Sequence, residues 1–131
     1  MLPYSTEIMR AIANAGIPRI HFGVGTGELL AAMSEAGSEV MGVDWRVPLD
    51  KAATRISAVS GPKALQGNLD PALLFADEAA LEKEIARICA EADRAIASGE
   101  ATGHIFNLGH GVLPHTNPDA ITRAVEIIHT Y

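Results

Sequence analysis

The chain has 131 residues, of which 48% are hydrophobic and 20% are charged, a composition typical of a folded domain and not of a disordered segment. Ten lysines and arginines stand against 16 aspartates and glutamates, which gives a formal net charge of −6. This acidic balance, without any basic run, argues against nucleic acid or an anionic membrane surface as a partner. No apolar stretch reaches transmembrane length, and the single Cys89 cannot form an internal disulfide, so we expect a soluble cytoplasmic domain.

Short apolar runs alternate with helical patterns along the chain. The predicted strands are Arg19–Val24, Glu39–Asp44, Lys63–Gly67 and His104–Leu108. The predicted helices run from about Ser5 to Ala15, Gly27 to Gly37, Pro48 to Ser57, Asp77 to Ser98 and from Asn117 onward. A helix followed by four strand–helix units predicts an α/β fold with four parallel strands and right-handed crossovers. Four such units are half of the eight that close a (β/α)8 barrel.

The helical periodicity also predicts which side chains are buried and where the helices begin. Asp77 and Asn117 are expected N-caps, and Gly99 is an expected helix stop. The positions expected in the core of the helices are Leu29, Leu30, Met33, Leu81, Ile85, Ile88, Ala92, Ile96, Ile121, Ala124, Val125 and Ile128.

A glycine-rich stretch, "FGVGTG" (Phe22–Gly27), lies between the first strand and the second helix. A dinucleotide fingerprint beginning at Gly23 fails, because Glu28 stands where the third glycine belongs and would repel a pyrophosphate. The S-adenosylmethionine loop of a methyltransferase remains an alternative, with Asp44 as the acid that binds the ribose. The other alternative is a tight strand-to-helix turn in which glycines relieve steric strain. Taken alone, the glycine-rich stretch favours the tight turn over the S-adenosylmethionine loop by a small margin.

Four sequence motifs, taken together with their order and spacing, carry a more specific signal than the glycine-rich stretch alone. They are "GTGELL" (Gly25–Leu30), "GVDW" (Gly42–Trp45), "KALQGNLDPALLFA" (Lys63–Ala76) and "GHIFNLGHGVLPHTNPDAI" (Gly103–Ile121). Together they resemble the uroporphyrinogen decarboxylase family over essentially the whole chain. The resemblance implies the C-terminal half of a TIM (β/α)8 barrel, with residues 1–131 forming a single half-barrel fragment. It also implies removal of four acetate carboxyl groups from uroporphyrinogen III to give coproporphyrinogen III in haem biosynthesis, by a homodimer without cofactor or metal.

His110 is the candidate substrate-binding residue. It lies between Gly109 and Gly111 just past a predicted strand, where barrel active sites gather, and these glycines would let the backbone approach a large ligand. An imidazole can donate a hydrogen bond to an acetate or propionate group, or pair with it when charged. The histidine of the family's "NLGHG" motif contacts the substrate, and the resemblance assigns that role to His110; a loop histidine without such a role is the alternative.

The resemblance places the catalytic aspartate, tyrosine, serine and arginines in the half-barrel that this sequence lacks. We therefore expect the 131 residues alone to have no decarboxylase activity. Arg46 and Arg55 are the only arginines near the relevant strand ends, and Arg55 fits a helix surface better. No His, Cys or carboxylate set has a zinc spacing, and Cys89 has no partner. Structural roles are expected for Asp44, Asp70, Trp45, His21, His104 and His129, although the two aspartates could also be site carboxylates.

A half-barrel leaves two strand edges unpaired and exposes apolar side chains. The candidates are Ile20, Phe22, Val40, Val43, Leu65 and Phe106, and their exposure predicts a homo-oligomer. Besides part of a decarboxylase, two alternatives stay open: a small S-adenosylmethionine-dependent methyltransferase, and a non-catalytic half-barrel that serves as an interaction module.

Overall fold

The computed structural model describes residues 2–131. Its centre is one parallel sheet of four strands in the order β1-β2-β3-β4. The strands are β1 (Ile20–His21), β2 (Val40–Gly42), β3 (Lys63–Leu69) and β4 (Ala101–Leu108). The helices are α1 (Leu2–Ala11), α2 (Leu30–Ser34), α3 (Leu49–Ser60), α4 (Glu78–Ala97) and α5 (Pro118–Ile128). The prediction of four parallel strands alternating with helices is confirmed, and the architecture is that of part of a (β/α)8 barrel.

The predicted helix signals at α4 and α5 act as expected. The Asp77 side chain accepts a hydrogen bond from the Ala80 N–H at 2.8 Å, and the Asn117 side chain accepts one from the Asp119 N–H at 3.0 Å. Gly99 follows α4 with a φ of 75°, a left-handed conformation that ends the helix. Local sequence therefore determines where these two helices begin and where α4 ends.

The first two strands are shorter than their predicted ranges. β1 pairs with β2 only through Ile20 and His21, and it lies at the edge of the sheet. The glycine turn starts at once, with the Thr26 hydroxyl donating to Gly23 O at 2.7 Å. The predicted second helix is likewise divided: residues Gly27–Leu29 form a 3-10 turn, and only Leu30–Ser34 are α-helical.

An ion pair ties the start of the sheet to α1. The Arg19 guanidinium donates to the Glu39 carboxylate and also to Met9 O of α1. Hydrogen bonds from Arg19 lower the pKa of Glu39 to about 2. These contacts position the opening helix beside the first two strands.

Consecutive helices α2 to α5 contact one another and form a single layer on one face of the sheet. The core lies between this layer and the sheet, where apolar side chains from both sides are almost completely buried. Its largest members are Leu30, Met33, Met41, Leu49, Ile56, Leu65, Leu69, Ile85 and Ile88. A sheet with all its helices on one face is what a barrel wall requires, because the other face belongs to the barrel interior.

The opposite face of the sheet, here called the open face, carries side chains in register from neighbouring strands. Gly42 pairs with Gln66, and Gln66 pairs with Ile105. Ile20, Phe22 and Ile105 are each more than 40% exposed. Exposure of Ile20 and Phe22 is confirmed.

The other predicted exposed positions differ. Val43 and Leu65 alternate to the helix side and are buried, Val40 is only 5% exposed, and Phe106 is half-buried against the core. Apolar character had selected these four residues, but the period of two along a strand places Val43, Leu65 and Phe106 on the helix side, and Ile105 takes an exposed position on the open face. Val40 pairs with Ile20 and shares its face, yet it is buried there.

Some predicted core positions on the helices are wrong. Ile96 of α4 and Leu29 are about 40% exposed or more, and so are Ile121 and Val125 of α5. Ala95 and Ile127 are buried instead. α5 packs against α4 and the segment Pro71–Phe75, and these neighbours cover only part of its apolar stripe.

None of the helices in residues 2–131 combines the length and the apolar character that crossing a bilayer requires.

Candidate functional site

The segments that follow the four parallel strands meet at one edge of the sheet, here called the carboxyl rim. The rim consists of Gly23–Gly27 after β1, Val43–Val47 after β2, Asp70 after β3 and Gly109–Val112 after β4. Barrel enzymes place substrate-binding and catalytic groups at this end of the strands. Substrate-binding groups of this protein are therefore expected at the carboxyl rim.

His110 lies on the carboxyl rim with its side chain exposed. It lines a cleft of about 390 Å³ together with Phe22, Gln66 and Asn107, which belong to the open face or to the end of β4. The Gly111 N–H donates a hydrogen bond to His110 Nδ1 at 2.6 Å. In the neutral imidazole this leaves the ring proton on Nε2, which can donate to a ligand in the cleft.

The glycine before His110 has a packing role that the sequence did not indicate. A methyl carbon at Gly109 would lie 2.7 Å from the Cα of Trp45, so only glycine lets the two rim segments touch. The Gly109 N–H also donates to Leu69 O at 2.8 Å. Gly111, in contrast, would place a methyl carbon in open space. The Trp45 backbone occupies the space into which a side chain at position 109 would project, and the approach of a ligand to the backbone beside His110 stays a prediction.

The glycine-rich stretch is a turn fastened to its neighbours. Gly25 has a φ of 67°, and its N–H donates to the Asp44 carboxylate at 2.9 Å. A methyl carbon at Gly27 would lie 2.6 Å from a methyl group of Val47. Arg55 of α3 reaches across to donate to Gly27 O at 2.9 Å. The glycines serve the close packing of two rim segments.

Asp44 is 2% exposed and its carboxylate oxygens are already engaged. They accept hydrogen bonds from the N–H groups of Gly25 and Arg46, both at 2.9 Å, and from Arg46 Nη1 at 2.8 and 2.9 Å. Burial acts to raise the pKa of Asp44, but these donors outweigh it and hold the pKa below its usual value. Such a carboxylate fastens the rim, and it is not open to a ribose.

Asn68, near the end of β3, is a rim residue that lies at a candidate strand end in the sequence but to which the sequence assigned no individual role. Its side-chain amide is buried and donates to Asp44 O at 3.2 Å and to Val47 O at 2.6 Å, which holds the segment after β2 against β3. The available signal was its place in "GNLDP", directly before a turn. Asp70 in that turn accepts from the Ala72 N–H at 2.9 Å, which confirms its structural role.

Structural roles are also confirmed for two histidines in or beside the strands. His21 Nδ1 lies 3.0 Å from Met33 O, and His104 Nε2 lies 2.7 Å from Gly67 O. Burial lowers the pKa of His104, which favours the neutral ring. Cys89 is half-buried in α4, and burial together with the Asp93 carboxylate raises the pKa of its thiol. His129 directly follows α5 and is its C-cap residue.

The strand order separates the candidate fold classes. A methyltransferase or dinucleotide fold reverses its strand order at a switch point and places helices on both faces of its sheet. In the part of the chain that the structure describes, the order is sequential and α2 to α5 share one face. This arrangement, with polar groups on the carboxyl rim, defines a protein of the (β/α)-barrel class, and the methyltransferase alternative is wrong.

Comparison with known proteins gives the particular family. The uroporphyrinogen decarboxylase (URO-D) family matches this sequence over residues 1–131. The chain belongs to the uroporphyrinogen decarboxylase family.

Individual relatives agree with that assignment. A protein of Corynebacterium diphtheriae named uroporphyrinogen decarboxylase is 74% identical over 131 residues, which cover 100% of this chain and 37% of the relative. Proteins of the same name from Rhodococcus opacus and Nocardia farcinica are 63% and 62% identical; the matches cover 99% and 98% of this chain, and 36% and 35% of those relatives. The chain thus spans little more than a third of the length of the curated relatives that it matches.

Proposed function

We propose that this chain forms part of the active site of a uroporphyrinogen decarboxylase, a carboxy-lyase that converts uroporphyrinogen III to coproporphyrinogen III, and that His110 is a substrate-binding residue. The proposal includes residues 1–131 as a single half-barrel unit. One observation carries it: His110 lines the 390 Å³ cleft where the open face meets the carboxyl rim. A ligand seated there would contact a ring N–H donor on one side and the barrel interior on the other.

The chemistry explains what this site must supply. Loss of an acetate carboxyl group as carbon dioxide leaves an electron pair, which a pyrrole ring can accept once it has been protonated. No cofactor is then needed, but the protein must orient a ligand that carries many carboxylates. His110 Nε2–H can hold one of these carboxylates in place. The resemblance to the family implies that the groups that protonate the ring and stabilise its cation lie in the half-barrel outside this chain.

The experiment measures ligand binding and turnover separately. The purified chain is titrated with uroporphyrin, an octacarboxylate, and His110→Ala is compared with His115→Ala, since His115 is exposed on the same loop but does not line the cleft. We expect His110→Ala, which removes the donor, to weaken binding about tenfold, roughly the value of one hydrogen bond to a charged group. Equal binding by both variants would refute the role of His110.

Turnover is followed with uroporphyrinogen and the unmodified chain. We expect no coproporphyrinogen above background, because this chain matches little more than a third of its relatives. Release of product by the chain alone would show that the catalytic groups lie within these 131 residues.

The cellular context is part of the same proposal. We propose that the protein acts in the cytoplasm, in haem biosynthesis, as a homo-oligomer, and that it uses neither nucleic acid nor a membrane as a partner. The net charge of −6 supports the last point, and the exposed side chains of Ile20, Phe22 and Ile105 support association of copies.

A further inference from the structure

Arg46 occupies an unusual position on the carboxyl rim. Its guanidinium lies 4.3 Å from the centre of the Trp45 ring, and its Nη1 donates to both oxygens of Asp44. Its side chain nevertheless remains 51% exposed. An exposed arginine usually samples many rotamers, whereas a buried carboxylate and an aromatic face hold this one in place.

The remaining donors of Arg46 are available. Within residues 2–131, all its side-chain hydrogen bonds use Nη1, so Nε and Nη2 have no acceptor there. A guanidinium with a fixed plane and free donors on one edge matches the two oxygens of a carboxylate. Because the side chain is already ordered, less rotamer entropy is lost when such a ligand binds.

The space beside Arg46 fits a carboxylate side arm. A cleft of about 240 Å³ lies between the segments that follow β1 and β2, and Arg46, Asp44, Gly25 and Gly27 are among its lining residues. The rim segment that carries Arg46 also touches the rim segment that carries His110, because Trp45 packs closely on Gly109. Arg46 and His110 each directly follow one of these two contacting residues.

Two carboxylates, Asp44 and Glu28, also line this cleft. Asp44 is buried and its charge is compensated by Arg46 and two N–H groups. Glu28 is exposed, and Arg55 Nη1 lies 3.3 Å from its carboxylate. The two guanidinium groups and the two carboxylates balance in charge, so a ligand carboxylate would be held by the free donors of Arg46 and not by an excess of positive charge.

We propose that Arg46 is a second carboxylate-binding residue of this site, which receives an acetate or propionate arm of the tetrapyrrole, and that Asp44 is its positioning residue. The identity of the ligand rests on the proposed function. The recognition of a carboxylate rests on the geometry of Arg46 alone.

The single tryptophan makes the test direct. Trp45 is the only tryptophan in the chain, and its ring touches Arg46, so its fluorescence reports ligand binding at this place. The 131-residue chain is titrated with uroporphyrin and, separately, with benzenehexacarboxylate, a simple polycarboxylate that is not a tetrapyrrole. Arg46→Gln is compared with Arg123→Gln, which removes a charge from an arginine of similar exposure (46%) on α5.

We expect Arg46→Gln to bind both ligands about tenfold more weakly, and Arg123→Gln to bind them as the unmodified chain does. Arg46→Lys keeps the charge but not the planar fork, and its affinity should fall in between. If the unmodified chain binds benzenehexacarboxylate through Arg46 but does not bind uroporphyrin, the proposed function fails and the Arg46 site stands. If Arg46→Gln binds both ligands like the unmodified chain, or if benzenehexacarboxylate does not bind at all, the Arg46 proposal is wrong.

A double-mutant comparison tests the positioning role of Asp44. Asp44→Asn should weaken carboxylate binding while Arg46 is present, and it should have no further effect in the Arg46→Gln background. A purely structural role would lower affinity equally in both backgrounds, and that result would overturn the assignment.

Discussion

Single residues hold the carboxyl rim together before any ligand arrives. Gly109 allows the segment after β4 to touch Trp45, and Asn68 fastens the segment after β2 through two backbone carbonyls. Asp44 joins the segments after β1 and β2 through Gly25 and Arg46. The positions of His110 and Arg46 therefore depend on neighbours that need not contact the substrate themselves.

Gly109→Ala tests this dependence. The added methyl carbon would lie within 2.7 Å of Trp45 Cα, and backbone on both sides leaves little room to adjust. We expect unfolding in urea to show a loss of about 1–3 kcal/mol, as overpacking usually costs. Gly111→Ala is the matched control, because its methyl group meets nothing within 4 Å. Equal stability of the two variants would show that the contact with Trp45 does not require glycine at position 109.

At this scale, the sequence predicts the site residues that have local signals but not those that are placed by long-range contacts. His110 could be located because it follows a predicted strand, and Asp44 and Asp70 could be read as turn residues from their own neighbours. The packing of Gly109 on Trp45 joins positions 64 residues apart, and Asn68 reaches Asp44 across 24. Such contacts depend on strand register, which no local pattern specifies.

At the scale of elements, the N-terminus of α3 is capped by a side chain of a different helix, α4. Pro48 precedes α3 and provides no side-chain cap. The buried Glu91 of α4 instead accepts a hydrogen bond from the Leu49 N–H at 2.9 Å, and its other oxygen pairs with Arg87. A carboxylate near a helix N-terminus is stabilised by the unpaired N–H groups there, so α3 and α4 stabilise each other.

Glu91→Ala should therefore destabilise the fold. Removing the carboxylate leaves the buried Leu49 N–H without its acceptor, for which we expect a loss of about 1–3 kcal/mol in the free energy of unfolding. Glu84→Ala is the control, because Glu84 pairs with the same Arg87 on the outer surface of α4, where the expected loss is below about 1 kcal/mol. A larger loss for Glu84→Ala in chemical denaturation would contradict a capping role for Glu91.

The elements themselves follow from the sequence better than their packing does. Caps and periodicity predict α4 and α5 within a few residues, because those signals are local. The exposure of Ile96 and Val125 could not be predicted, since a helical stripe indicates an apolar face but not how much of that face its neighbours cover.

For the whole molecule, the open face is the dominant physical feature. Ile20, Phe22 and Ile105 expose apolar surface on it, and β1 and β4 are the two edge strands of the sheet. Burying a fully exposed side chain of this size gains about 1.5–3 kcal/mol, and since less than half of each of these three is exposed, each would gain roughly 1 kcal/mol. Unpaired strand edges add backbone donors and acceptors that another chain can satisfy. Together they favour association over a dilute monomer.

The last prediction concerns this association. Light scattering over a range of concentrations should show that the unmodified chain forms a dimer or larger assembly, and that Ile105→Lys shifts it toward monomer because a charge at the open face opposes burial. Val59→Lys on α3 is the matched control, since Val59 is 51% exposed in the helix layer and the change in net charge is the same. Both variants reduce the net charge of −6, which by itself would promote association, so dissociation specific to Ile105→Lys identifies the open face as the interface. A monomer at every concentration, or equal dissociation by both variants, would show that the open face does not join copies of this chain.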